Sequence, residues 1–168
     1  VYYSKYSSPI GIIILTSDGI NLVGSYLENQ KYFLSNIENF ERHDDLKTLK
    51  DSKKWLDMYF SGKNPSLKGI NLKLSGTSFR KEVWEILKEI PYSKTVTYKE
   101  IAQRICKIRD IKNMSPQAVG GAISHNPLFI FIPCHRVVGS DGKLTGFAAG
   151  IDKKLFLLNL ERRSSFKI

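Results

Sequence analysis

The feature that most constrains this chain is a change of hydrophobic period partway along it. Before the turn-rich stretch Ser61-Gly62-Lys63-Asn64-Pro65-Ser66 the apolar residues fall in short strand-like runs, and after it they recur at helical spacing. Val1 to Ser7, Ile12 to Thr16 and Ile20 to Leu27 are separated by Pro9-Ile10-Gly11 and Asp18-Gly19, which is the punctuation of a small antiparallel meander. Lys47 to Phe60 then sets Leu49, Leu56 and Phe60 near helical spacing around Trp55 and Tyr59, predicting an amphipathic helix on that sheet. Strands followed by helices define an α+β class, with a boundary near residue 75: an N-terminal α/β unit and linker over 1–75, and a mainly helical unit over 76–168.

In the second unit Thr77 or Ser78 can cap a helix through Val83, Trp84, Ile86 and Leu87 that Pro91 stops. Thr97 caps another from Tyr98 to about Ile105, and Glu100 completes a capping box. A basic loop, Lys107 to Asn113, leads to Ser115-Pro116, a cap and N1 proline that open a third short helix through His125. The last two helices suggest a helix-turn-helix variant with a loop longer than usual. Ala118, Gly120, Gly121 and Ala122 leave the third helix almost bare, at a cost of roughly 1 kcal/mol per glycine. Close packing against a neighbouring element explains such a surface, and so does approach to something large and rigid. Phe129 to Ile132 reads as a buried strand delivering Pro133-Cys134-His135-Arg136, and Ile151 to Leu160 as a closing amphipathic helix.

Composition narrows the function classes. With 26 Lys plus Arg against 16 Asp plus Glu, the formal charge of +10 favours a polyanionic partner without distinguishing it from a well-solvated basic surface. Cys106 and Cys134 are too few for a disulfide framework, and with three scattered histidines they build no cysteine-based zinc site, so neither metal nor cofactor is expected. The start of the chain has no signal-like apolar region, and the run Ile12 to Leu15 is far short of a membrane span. The expectation is a monomer away from membranes, cytoplasmic, or nuclear in a eukaryote.

Cys134 is placed for chemistry. A thiolate is the reactive form of cysteine, and a nearby imidazole can take its proton. Adjacent side chains diverge on regular backbone, so Cys134 and His135 should communicate through a bridging water. The other nitrogen of His135 then needs a partner, and Glu161 near the end of the last helix is a carboxylate able to reach it.

Ala118-Val119-Gly120-Gly121-Ala122, Asn126-Pro127, Ile132-Pro133-Cys134-His135-Arg136-Val137-Val138-Gly139 and Leu144-Thr145-Gly146-Phe147-Ala148-Ala149-Gly150, with the spacing to Glu161, together resemble the O6-alkylguanine-DNA alkyltransferase family. Ser8-Pro9-Ile10-Gly11 and the stretch from Trp84 to Tyr98 extend the likeness over nearly the whole chain. The resemblance implies a ribonuclease H-like N-terminal fold and a winged-helix-like C-terminal one. It implies direct-reversal repair: O6-methylguanine, and in some members O4-methylthymine, is flipped out of double-stranded DNA and its alkyl group moves irreversibly to Cys134, once per protein. By the same resemblance His135 is the base acting through water and Glu161 orients it. Asn126 is a hinge, and Tyr98 presses on a phosphate and donates to the base. Val137 (through its carbonyl), Gly146, Phe147 and Ala148 meet the flipped base, and DNA contacts come from Tyr98, Lys99, Ser115, Gln117, Ala118, Gly120, Ser124 and Ser140.

The sequence departs from that pattern in places. Gln117 stands where many members carry arginine, so it lacks the charge and stacking area that fill the gap in the duplex. Phe147 stands where the lid aromatic is often tyrosine, and Ala148-Ala149 where Ser-Gly or Gly-Gly is common, which narrows the lid while still admitting a methyl group. A lesion-binding relative that marks without repairing carries tryptophan at the cysteine position, and Cys134 speaks against it. A helix-turn-helix regulator would leave Asn126, His135 and Glu161 unexplained together, and a thiol hydrolase would turn over and ignore DNA.

Overall fold

The computed structural model describes residues 1–30, 39–144 and 147–165. Strand β1 (Tyr2–Ser8) and strand β2 (Gly11–Ser17) form an antiparallel hairpin running from Tyr2↔Ser17 to Ser8↔Gly11. Gly11 sits at φ 125°, a conformation open to glycine, where the chain reverses. Strand β3 (Leu22–Leu27) adds antiparallel to β2, giving the meander expected from the alternation. It begins later than Ile20, because the Asp18 carboxylate accepts from the Ile20 and Asn21 amides and folds that stretch into a turn. The two-residue strand β4 (Glu41–Arg42) pairs parallel with β1, so the order is β3-β2-β1-β4. Two polar residues carry no alternation, and β4 is not legible in the sequence.

Helix α1 (Lys47–Phe60) lays Leu49, Ser52, Trp55, Leu56 and Tyr59 onto the sheet. Helix α2 (Ser78–Lys88) starts where the Thr77 hydroxyl accepts from the Arg80 amide at 3.1 Å and buries Val83, Trp84, Ile86 and Leu87. Strand β5 (Val96–Thr97) runs into helix α3 (Tyr98–Arg109), whose capping box between Thr97 and Glu100 is complete. Helix α3 passes beyond Ile105 to a left-handed Asp110, with Lys107 and Arg109 beside its terminal carbonyls. Helix α4 (Pro116–Ser124) opens on the Ser115 cap and packs on α2 and α3, while Trp84 donates from Nε1 to the Ala122 carbonyl at 2.8 Å.

Phe129 to Ile132 is not a strand. Leu128 to Ile132 form a tight turn with Ile130 at φ 74°, and the edge of β3 grips its start. Ser25 donates from N to Pro127 O at 2.7 Å, receives Phe129 N at 2.9 Å, and donates from Oγ to Phe129 O at 2.9 Å. A short apolar run buried on every side has no period that separates strand from turn. Beyond it, strand β6 (Val137–Val138) pairs parallel with β5. Helix α5 (Ile151–Ser165) reaches past Leu160, and its amphipathicity is not simple. Its inward residues include Lys154 and Glu161 beside Leu157 and Leu158, whereas Ile151 and Leu155 are half exposed. Among the described residues no helix is long and apolar enough to cross a membrane.

Candidate active site

The site forms where three parts of the chain converge: the turn after α4, the face of α5, and the end of α1. Asn126 makes the turn. Its Nδ2 donates to Ile132 O at 2.9 Å and its Oδ1 accepts from Leu128 N at 2.9 Å, so both faces of one buried amide close the loop. The Cys134 amide donates to Ile132 O at 2.8 Å, and Cys134–Arg136 wind into a single 3₁₀ turn. Cys134 is thus held, nearly buried, at a rigid bend rather than at a strand end.

His135 and Glu161 are both fully buried, and His135 Nε2 lies 2.6 Å from Glu161 Oε2. The same oxygen accepts from the Tyr59 hydroxyl at 2.6 Å and from Arg136 Nη2 at 3.2 Å. Oε1 accepts from Arg136 Nε at 2.9 Å and from the Ser93 amide at 3.0 Å. Burial pushes the Glu161 carboxyl up, but the bonds and charges of His135 and Arg136 outweigh it and hold it well below the usual carboxylate range. An ionised Glu161 accepts only, so His135 Nε2 carries the proton and Nδ1 is the bare nitrogen. Nδ1 is buried and has no hydrogen-bond partner among the described residues, so no direct bond joins it to the thiol. Burial lowers the His135 titration; Glu161 pulls it up, and Arg136 and Lys154 push it further down. The ring is neutral at pH 7.

The thiol has its own setting. Burial raises the Cys134 pKa, and the Asn126 side chain and the Lys154 ammonium draw it back down. Lys154, fully buried on α5, places Nζ 5.7 Å from the ring centres of both Tyr98 and Phe147. Cys134 opens onto a pocket lined by Ser124, Asn126, Phe129, Phe147, Ala148 and Ala149, with free room of about 10 Å³, enough for a single water. Val137 is buried at β6. Gly146 lies outside the described residues.

Most of the remaining predicted residues lie toward the outer surface, and Ser124 also lines the pocket. Ser115, Gln117 and Ala118 are exposed on the first turn of α4, where the Ser115 hydroxyl donates to Gln117 Oε1 at 2.9 Å. Tyr98, Lys99 and Ser140 border a groove of about 580 Å³ with Lys112, Met114 and Pro116. Ser124 turns its hydroxyl back onto Gly120 O at 2.9 Å. The bare face of α4 is not a packing seam: a Cβ on Gly121 would meet nothing within 4 Å, and one on Gly120 would only touch the Tyr98 ring at 4.0 Å. Both glycines leave backbone open to the outside.

Tyr59, Arg136 and Lys154 also meet at the site, and the spacing of motifs does not reveal them. Arg136 had a signal, standing within the Cys134 motif. Tyr59 and Lys154 read as core and surface in their helices, and only the folded chain brings them to the site.

A buried thiol beside a neutral, carboxylate-anchored imidazole, under an open helix-turn-helix surface, defines a thiol group-acceptor protein with a nucleic-acid-binding face. Comparison with known proteins agrees. Residues 1–74 match the family described as 6-O-methylguanine DNA methyltransferase, ribonuclease-like domain, and residues 78–163 match 6-O-methylguanine DNA methyltransferase, DNA binding domain. A methylated-DNA–protein-cysteine methyltransferase of Methanosarcina barkeri is 41% identical over 180 aligned positions, covering 98% of this chain and 99% of the relative. One from Haemophilus influenzae is 36% identical, covering 96% and 87%. The crystal structure of Mycobacterium tuberculosis OGT in complex with DNA superposes with a TM-score of 0.85 at 35% identity, covering 98% of this chain and 94% of that one. The chain belongs to the 6-O-methylguanine DNA methyltransferase family.

Proposed function

We propose that this protein repairs DNA directly, taking the methyl group of O6-methylguanine onto Cys134 in a single irreversible event. The observation that carries the reading is a buried thiol next to an imidazole whose bare Nδ1 has no partner among the described residues while its Nε2 is committed to Glu161. In the proposed reaction the Cys134 proton passes through a water to His135 Nδ1. The thiolate attacks the methyl carbon, the C–O bond breaks as the C–S bond forms, and the electron pair returns to the guanine, which takes up a proton. The product thioether has no group able to reverse it, so each molecule acts once.

A base stacked in a duplex hides the reacting carbon, so the nucleotide must leave the stack, at a cost of a few kcal/mol. The exposed first turn of α4, with Gln117, Ala118 and Gly120, is assigned to the groove, and Tyr98, Lys99, Ser115 and Ser140 to the backbone. Asn126 fixes the position of Cys134 relative to α4. Because the pocket has free room of only about 10 Å³, Phe147 and Ala148 must swing outward to admit the base. A reactant thiol suits a reducing compartment, which favours the cytoplasm or, in a eukaryote, the nucleus.

Incubation with duplex DNA carrying O6-methylguanine, followed by mass spectrometry, tests this. One methyl on the Cys134 peptide, saturating at one per protein, is the expected result. Absence of the methyl from that peptide overturns the proposal.

A further inference from the structure

We infer that Tyr59, on α1 of the N-terminal unit, is a positioning residue for the acceptor thiol that sets the proton affinity of His135 by sharing its carboxylate oxygen. The inference rests on the reaction proposed above, in which His135 takes the Cys134 proton. Tyr59 is 1% exposed, and its hydroxyl donates to Glu161 Oε2 at 2.6 Å, the oxygen that also accepts from His135 Nε2 at 2.6 Å. The phenol oxygen lies only 3.4 Å from that nitrogen. His135, Arg136 and Ser93 reach Glu161 from the C-terminal unit, and Tyr59 reaches it from α1.

The tyrosine is held firmly. Its ring stacks on Trp55 at 5.6 Å and meets Phe60, Tyr92 and His135 edge-on, and Trp55 in turn stacks on Phe131 at 4.6 Å, within the turn that leads to Cys134. A hydroxyl fixed in this way donates without reorganising. The charged and titratable groups around His135 are Glu161 and Lys154 on α5, Arg136 and Cys134 in the 3₁₀ turn, Tyr59 on α1 and Tyr92 after α2.

Donors on one carboxylate oxygen compete for its charge, and Oε2 accepts from Tyr59 and His135 at 2.6 Å and from Arg136 at 3.2 Å. The phenol therefore weakens the pull of Oε2 on the Nε2 proton and keeps the imidazole neutral, with Nδ1 free to receive a proton. Burial and the adjacent Glu161 charge raise the Tyr59 pKa well above that of an ordinary phenol, so the hydroxyl remains a donor throughout the working range. Through it, the N-terminal sheet and helix act on a reaction carried out in the other half of the chain.

The test is Tyr59→Phe in the full chain, with the His135 imidazole titrated by ¹⁵N NMR in the absence of DNA. The titration point is expected to rise by about one pH unit, the size of one charge-assisted hydrogen bond, and the low-pH limb of the methyl-transfer profile is expected to rise with it while DNA affinity stays unchanged. A titration point and pH profile that stay the same, or move lower, overturn the inference. If Tyr59→Phe does not fold, the wild-type spectrum decides: an Nε2-protonated ring with a cross-peak to the Tyr59 ring supports the shared oxygen, and an Nδ1-protonated ring overturns it. The titration needs no DNA, so a wild-type protein that fails to take up methyl overturns the repair reading and leaves this result standing separately.

Discussion

Asn126 Nδ2 donates to the carbonyl of Ile132, six residues on, at 2.9 Å, so a single buried amide spans the turn that carries the chain from α4 to Cys134. Asn126→Ala would strand one buried backbone donor, Leu128 N, at a cost of about 1–3 kcal/mol, and would leave Ile132 O with the Cys134 amide as its remaining donor. The expected loss is about 1–3 kcal/mol of stability, seen as a lower urea midpoint, together with slower methyl uptake as Cys134 loses its fixed position. An Asn126→Ala protein of wild-type stability would show that the turn closes without the amide.

Lys154 should trade stability for reactivity. Burial lowers its ammonium from the ordinary 10.5 to about 8, with the Cys134 charge pulling the other way. The folded state therefore disfavours the charged form, and near pH 7 the protein bears a cost of about 3 kcal/mol, from roughly 1.4 kcal/mol per pH unit. Lys154→Met should raise stability by up to about that amount at pH 7, with the gain fading as pH rises from about 8 toward 10.5. Losing the ammonium should also raise the Cys134 pKa and slow its reaction with iodoacetamide. A less stable Lys154→Met protein with an unchanged thiol would contradict both parts.

What the sequence makes legible depends on range. Helix caps such as Thr97 with Glu100 act over three residues, and Cys134 with His135 stand together, so both can be read directly. The pairing of His135 with Glu161, 26 residues apart, emerges from the resemblance and from the need to partner a buried imidazole. Tyr59 lies 102 residues from Glu161, and its helical pattern says only that it faces inward. Lys154 is hidden for another reason: lysine is almost never fully buried, so a pattern reading assigns it to solvent. The turn at Ile130 is not legible in the sequence, because an all-apolar run carries no period.

Acid should unfold the protein in two stages. His135 titrates below its ordinary 6.5 because of burial, and Glu161 below its ordinary 4.5 because the bonds to His135 and Arg136 outweigh burial. In both cases the unfolded chain binds the proton more readily, so the group's contribution is present above the ordinary pKa and is lost as pH falls. Urea midpoints should decline first below about pH 6.5 and again below about pH 4.5. In His135→Gln the first decline should flatten. A midpoint constant from pH 7.5 to 4 would remove the linkage.

Changes on the face of α4 should separate packing from DNA contact. A Cβ at Gly121 meets nothing within 4 Å, so Gly121→Ala should stabilise the helix by about 0.5–1 kcal/mol. Gly121→Leu keeps that helical benefit but projects a large side chain into the surface assigned to the groove. DNA affinity should fall at least about tenfold while the slope of log affinity against log salt stays the same, since no cation is lost. Lys99→Ala should do the reverse, weakening binding at low salt and reducing the slope by about one phosphate contact. Filter binding of duplex DNA over a salt series reads both quantities at once. If Gly121→Leu binds as tightly as wild type, α4 does not enter the groove, and the bare glycine face needs a different explanation.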